Sequence, residues 1–180
     1  MKKILTVLFI TSLGTAFFSA CERDDICPPG DLTTPVLKVG FYNLQNQDSE
    51  KRATRLRIRG MDSVGDTLAV LNTFPDRTHR TEVDIPLKTY ENSSTFQFIF
   101  DSASDEDGNE TGNIDTIQFN YVRQERFVSR GCGYAVSFDR LEAVLNPEQG
   151  TTSTEGWISS IFVQDRNIQH QDTIHVKIYH

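Results

Sequence analysis

Basic residues are in short supply in this chain. Lys and Arg number 18 against 25 Asp and Glu, a formal charge of −7 over 180 residues. Phosphate backbones repel such a chain, so no nucleic-acid partner is expected. An anionic lipid surface offers the chain as a whole no electrostatic attraction either. No segment carries a convincing helical period, and no repeat of fixed length or internal domain boundary is visible. The apolar stretch from Ile4 to Phe18 is broken by Thr, Ser and Gly. It falls short of the roughly 20 residues that a spanning helix needs. Cysteine is confined to positions 21, 27 and 132.

What is there begins with a leader. Lys2 and Lys3 precede the apolar stretch, and Ser19-Ala20 places small residues before Cys21. This is the three-part logic of a secretory signal over residues 1–20. Phe18-Ser19-Ala20-Cys21 resembles a bacterial lipobox, with Phe18 in place of the usual Leu. The resemblance implies that Cys21 is acylated and becomes the mature N-terminus. Acyl chains contribute about 0.8 kcal/mol per buried CH₂, so several on one cysteine make a lasting anchor. Residues 21–32 then form the lipidated start and an acidic tether, and 33–180 a single domain. Glu22, rather than Asp, after the cysteine favours the outer membrane. The cluster Glu22, Asp24 and Asp25 resembles a surface-export tag of Bacteroidota lipoproteins, and it equally suits a charged spacer. Both readings stay open, so the periplasmic face and the cell surface remain alternatives.

Losing Lys2 and Lys3 with the leader takes the formal charge from −7 to −9. With Cys21 assigned to lipid, Cys27 and Cys132 remain in a compartment outside the reducing cytosol. A disulfide between them closes a loop of about 105 residues, worth about 4 to 5 kcal/mol in the chain-entropy model. Free thiols at both positions are the alternative, and alkylation distinguishes the two.

The remainder alternates with period 2. Leu37, Val39 and Phe41 share one face; so do Leu56 and Ile58, with Arg55, Arg57 and Arg59 opposite. Phe96, Phe98 and Phe100 give the clearest alternation. Arg80–Leu87 reads as one strand that Pro86 pushes to a sheet edge. Ile114–Arg123 reads as a strand, Gln124-Glu125 as a turn, and Gly133–Asp139 as the next alternation, through Tyr134, Val136 and Phe138. Leu141–Leu145 fits a helical turn or a strand. Ile174, Val176 and Ile178 point inward in the last run, with His175, Lys177 and Tyr179 outward. Eight to ten short strands separated by turns predict an all-β, antiparallel β-sandwich, immunoglobulin-like or jelly-roll-like.

Candidate chemistry is sparse. Ser129-Arg130-Gly131-Cys132 resembles the Ser-x-Gly-Cys of L,D-transpeptidases, whose cysteine is the nucleophile. Here Gly133-Tyr134 follows instead of an aliphatic residue and Arg, and His79 precedes Arg80 rather than Gly. A thiolate needs a positioned base, and none can be assigned. Asp105–Glu110 resembles the start of a calcium loop but places Glu110 and Thr116 where Gly and Glu belong. It reads more simply as an acidic hairpin loop with Asp-Gly at its turn. His79, His170, His175 and His180 show no zinc spacing. No metal, cofactor or catalytic residue is therefore expected. The arginine row suits a grip on a carboxylate or a glycan acid, and reads more simply as a solvated sheet face paired with cross-strand carboxylates. Asp, then Ser or Thr, then an aliphatic or small residue recurs at Ser63, Thr67, Ser102, Thr116 and Thr173. About one such triplet is expected by chance. The triplet resembles an O-glycosylation sequon of exported Bacteroidota proteins; it is also how a turn enters a strand.

Cys21-x-x-x-Asp25-Ile26-Cys27, Arg130-Gly131-Cys132-Gly133-Tyr134 and His175-Val176-Lys177-Ile178-Tyr179 are similar to a family of uncharacterised Bacteroidota lipoproteins with a domain of unknown function. The resemblance implies a Cys27–Cys132 pair and no catalytic residues. The expectation is a non-enzymatic envelope lipoprotein, held to the membrane by its N-terminal lipid. It would serve as an accessory or binding subunit, with an outer-membrane β-barrel protein as the candidate partner. A glycan-binding module using Trp157, Tyr42 and Tyr90 is the alternative, and a transpeptidase acting through Cys132 the third reading.

Overall fold

The computed structural model describes Cys27, residues 34–147 and residues 156–180. The leader, Cys21 and the rest of the tether lie outside the described residues. The chain groups into two compact units. One is Met1–Thr33 with Glu125–Ala135, and the other is Thr34–Gln124 with Val136–His180. Residues 125–135 therefore group with the N-terminal stretch, although the sequence places them inside one domain from residue 33.

The described residues form an all-β sandwich, as the alternation predicts. A smaller sheet orders β5 (Glu82–Ile85), β1 (Leu37–Tyr42), β10 (Val176–Tyr179) and β9 (Ser160–Val163). A larger one orders β3 (Thr67–Val70), β2 (Ala53–Met61), β6 (Ser93–Phe100), β7 (Asn113–Ser129) and β8 (Gly133–Leu145). Short β4 (Thr78–Arg80) also pairs with β2. The ladders are antiparallel except β1 with β10, which run parallel with Val39 opposite Val176.

Inward residues of both sheets meet in one core. Leu37, Val39, Phe41 and Ile178 come from the smaller sheet; Leu56, Ile58, Phe98, Ile117, Phe119 and Phe138 come from the larger. All of them are completely buried. Each large apolar side chain removed from water contributes about 1.5 to 3 kcal/mol, which is what holds the two layers together.

Three local readings change, and one left open is decided. The single strand expected over Arg80–Leu87 is two. β4 pairs with β2 in the larger sheet, and β5 pairs with β1 in the smaller. Thr81 lies between them, and its carbonyl accepts from the Phe41 N–H at 2.8 Å. The chain changes sheets here, which no alternation of side chains can reveal. Pro86 follows β5, which is an edge strand as expected. The turn expected at Gln124-Glu125 is absent, and β7 runs on to Ser129. Beyond Tyr121 the alternation of burial lapses because neither face is covered, so polar residues that read as a turn belong to a strand. Leu141–Leu145 is strand.

The third change concerns the last strand. His175 is completely buried rather than outward. It precedes β10, and its N–H donates to the Lys38 carbonyl at 3.0 Å. Its ring Nδ1 accepts from the Lys38 N–H at 3.1 Å. A side chain thus supplies an acceptor that the backbone would otherwise provide. Tyr179 is buried too, beside Tyr42 at a ring separation of 6.1 Å.

Candidate functional site

The unit containing Cys27 and residues 125–135 carries the features closest in sequence to the expected anchor. β7 and β8 are joined through Arg130-Gly131-Cys132, with Gly133 at φ +70°. That left-handed conformation is open to glycine at little cost, so the turn explains Gly133. Cys132 N–H donates to Ser129 Oγ at 3.1 Å and tightens it. Cys132 and Cys27 form a disulfide, with Cα atoms 4.6 Å apart and 105 positions between them in sequence. The sulfur considered as a nucleophile is therefore bonded to another sulfur. Beside the clasp, the Phe127 and Tyr134 rings meet edge to face at 5.4 Å. Phe127 is 55% and Tyr134 70% exposed.

The other unit holds a charge lattice on the outer face of the larger sheet. The Arg55, Arg57 and Arg59 row is paired with carboxylates, though these come from loops rather than from facing strands. Arg55 Nε donates to Asp101 at 2.7 Å, and Arg57 Nε to Asp76 at 3.0 Å. Arg57 Nη1 donates to Glu110 at 3.1 Å; Arg59 and Arg77 lie 3.6 and 3.8 Å from the same carboxylate. Glu110 also accepts from Ser102 Oγ and from the Ala103 and Gly112 N–H groups. Burial pushes its pKa up, but the Gly112, Ser102 and Ala103 bonds with Arg57 outweigh that and hold it below the usual carboxylate range. This carboxylate pins the loop 101–112 down, and there Ile99, on the face opposite Phe98, becomes buried. Nothing in the sequence distinguishes Glu110 from its acidic neighbours.

The calcium-like stretch is a self-contained turn. Asp105 accepts from the Asp107 and Asn109 N–H groups at 3.0 and 2.7 Å, and Gly108 sits at φ +86°. Bonds from the Asn109 side chain and backbone lower the Asp105 pKa. Among the described residues, no group of three His, Cys, Asp or Glu could hold a metal ion. His170 and His175 approach to 6.2 Å between rings, while His180 packs against Trp157 at 5.2 Å. Burial lowers the pKa of both His175 and His180.

The remaining candidates are scattered. Ser63, Thr67 and Thr173 are exposed and Thr116 half-buried, whereas Ser102 is buried with its hydroxyl engaged by Arg77 and Glu110. Trp157 turns inward and donates its ring N–H to the Phe98 carbonyl at 3.0 Å. Tyr42 stacks under Lys177, and Tyr90 stands 89% exposed. No ring contact among the described residues joins these three. A polar hollow of about 680 Å³ is lined by Asp62, Ser63, Glu91, Thr95, Thr116 and Gln118. A smaller apolar one of about 380 Å³ lies by Met61, Leu68, Val70 and Phe96. Sequence reasoning also missed Asp115, a buried carboxylate that accepts from Asn146 Nδ2 at 2.7 Å and Ile158 N–H at 2.8 Å. A Cβ at Gly156 would lie 2.0 Å from Asp115, so only glycine fits there.

Residues 55–180 match the model of a Family of unknown function (DUF6452). No curated protein matches the chain, and no solved structure does.

Proposed function

We propose, for a chain that belongs to the Family of unknown function (DUF6452), the role of a cell-envelope lipoprotein anchored through Cys21. It acts without catalysis, as an accessory or binding subunit at the outer membrane of a Bacteroidota cell. The observation that carries this reading is the Cys27–Cys132 disulfide. Such a bond persists in oxidising compartments outside the cytosol, in keeping with an exported chain. It also occupies the one sulfur that a transpeptidase reading would use, and a disulfide is no nucleophile. The partner best suited to a lipid-tethered β-sandwich of this size is an outer-membrane β-barrel protein.

The test has two parts. Native protein labelled with a fatty-acid analogue should partition to membranes, and Cys21→Ala should lose both label and membrane association. An unlabelled native protein in the aqueous fraction ends the anchor reading. Mild-detergent purification should then bring down a membrane protein; a protein that always elutes alone ends the subunit reading. A glycan-binding module is the second reading, favoured by the polar hollow beside Ser63 and Thr116. Absence of binding on a polysaccharide array ends it.

A further inference from the structure

We propose that the clasped tip of the β7–β8 hairpin is a membrane-interface contact, with Phe127 and Tyr134 seated in the headgroup layer of the bilayer that holds the anchor. This rests on the lipidation of Cys21 proposed above. The tether limits how far the tip can stand from lipid. Six positions separate Cys21 from Cys27, and an extended chain covers at most about 3.5 Å per residue, so about 21 Å. Cys132 lies 4.6 Å from Cys27 between Cα atoms. However the intervening residues run, the tip stays tethered within a few nanometres of lipid, and a short tether holds its target at an effective concentration on the order of millimolar.

The tip also carries the side chains that suit an interface. Among the described residues, Phe127 and Tyr134 are the one pair of exposed aromatic rings in contact with each other. Other exposed large apolar residues, such as Val64, Tyr90 and Phe162, have no such partner. Aromatic rings with a polar edge favour the membrane–water boundary, and Tyr supplies that edge through its hydroxyl. Arg126, on β7 beside Phe127, is exposed as well, and a guanidinium group matches lipid phosphate. The net charge of −7 gives the whole chain no pull toward anionic lipid. The contact is therefore aromatic, and it should form on zwitterionic phosphatidylcholine.

The experiment uses the lipidated full chain, purified from membranes and reconstituted into phosphatidylcholine vesicles with plain or brominated acyl chains. Phe127→Trp places a reporter at the tip, with the Trp157 signal measured on the unsubstituted protein and subtracted. Added emission should shift to the blue in vesicles and fall about twofold with brominated lipid, as for a ring at the interface. Tyr134→Trp should behave alike, while Glu106→Trp, on the exposed turn before β7, should show no quenching. Equal emission from the tip reporters in plain and brominated vesicles overturns the proposal. Intact mass separates the failures. Acyl chains present with an unquenched tip remove the contact alone; acyl chains absent remove the anchor and the contact together.

Discussion

One strand passes through two physical regimes. From Asp115 to Tyr121, β7 alternates between buried and partly covered residues, and Ile117 and Phe119 are sealed in the core. From Val122 to Phe127 most residues are exposed, and the aromatic pair lies open to solvent. The first region is held by apolar burial. The second has little burial to hold it and is closed by a covalent bond instead. Order in a β-ribbon can thus come from packing or from a cross-link, and each leaves a different signature under mutation.

The sharpest test of that contrast is Phe119→Ala against Phe127→Ala. Emptying the core site should cost about 4 kcal/mol, seen as a Tm about 10 °C lower. Truncating the exposed ring should change stability by less than about 0.5 kcal/mol. Equal losses in chemical denaturation would erase the distinction. Replacing both Cys27 and Cys132 with Ser should cost about 3 kcal/mol by freeing the unfolded chain. Core strands should exchange faster by the lost global stability, and residues 125–135 by more than that; an equal increase everywhere would contradict a local clasp.

A third means of fastening, the charge lattice, should fall next in size. Glu110→Gln keeps the shape but removes the charge that Arg57, Arg59 and Arg77 approach. A loss of about 2 kcal/mol is expected, with Ile99 more accessible to exchange. A neutral result would make the lattice decoration. The mildest effect concerns pH. Burial depresses the His175 pKa below its ordinary 6.5, so the unfolded chain binds the proton more readily. Stability should be complete above about pH 6.5 and decline as pH falls below it. His175→Leu should flatten the part of this decline that His180 does not supply. A native protein of constant stability from pH 7.5 to 5 would argue against a neutral buried imidazole.

Much of the sandwich was legible because one-sided burial writes itself into period-2 alternation. Phe96 and Phe98 point inward for that reason, and the arginine row meets carboxylates because one outer face concentrates like charge. The legible part ends where a residue's partner lies far along the chain. His175 follows an outward pattern yet is buried, because Lys38, 137 positions earlier, uses its ring as an acceptor. Asp115 reads as a polar residue at the start of a strand but holds Asn146 and Ile158. Glu110 looks like one more acid in an acidic loop until three arginines converge on it.

By itself, the sequence determined the apolar alternation that makes this chain all-β, and it placed the two cysteines that a disulfide would require. Both are local or countable properties, set by side-chain chemistry and spacing. Tertiary structure alone decided the parallel pairing of β1 with β10, the change of sheet at Thr81, the burial of His175 and Asp115, and the convergence of three arginines on Glu110. It alone brought Phe127 against Tyr134 beside the clasp. Those outcomes depend on which distant strands pair, and pairing is set by backbone register and by the closing of one shared core.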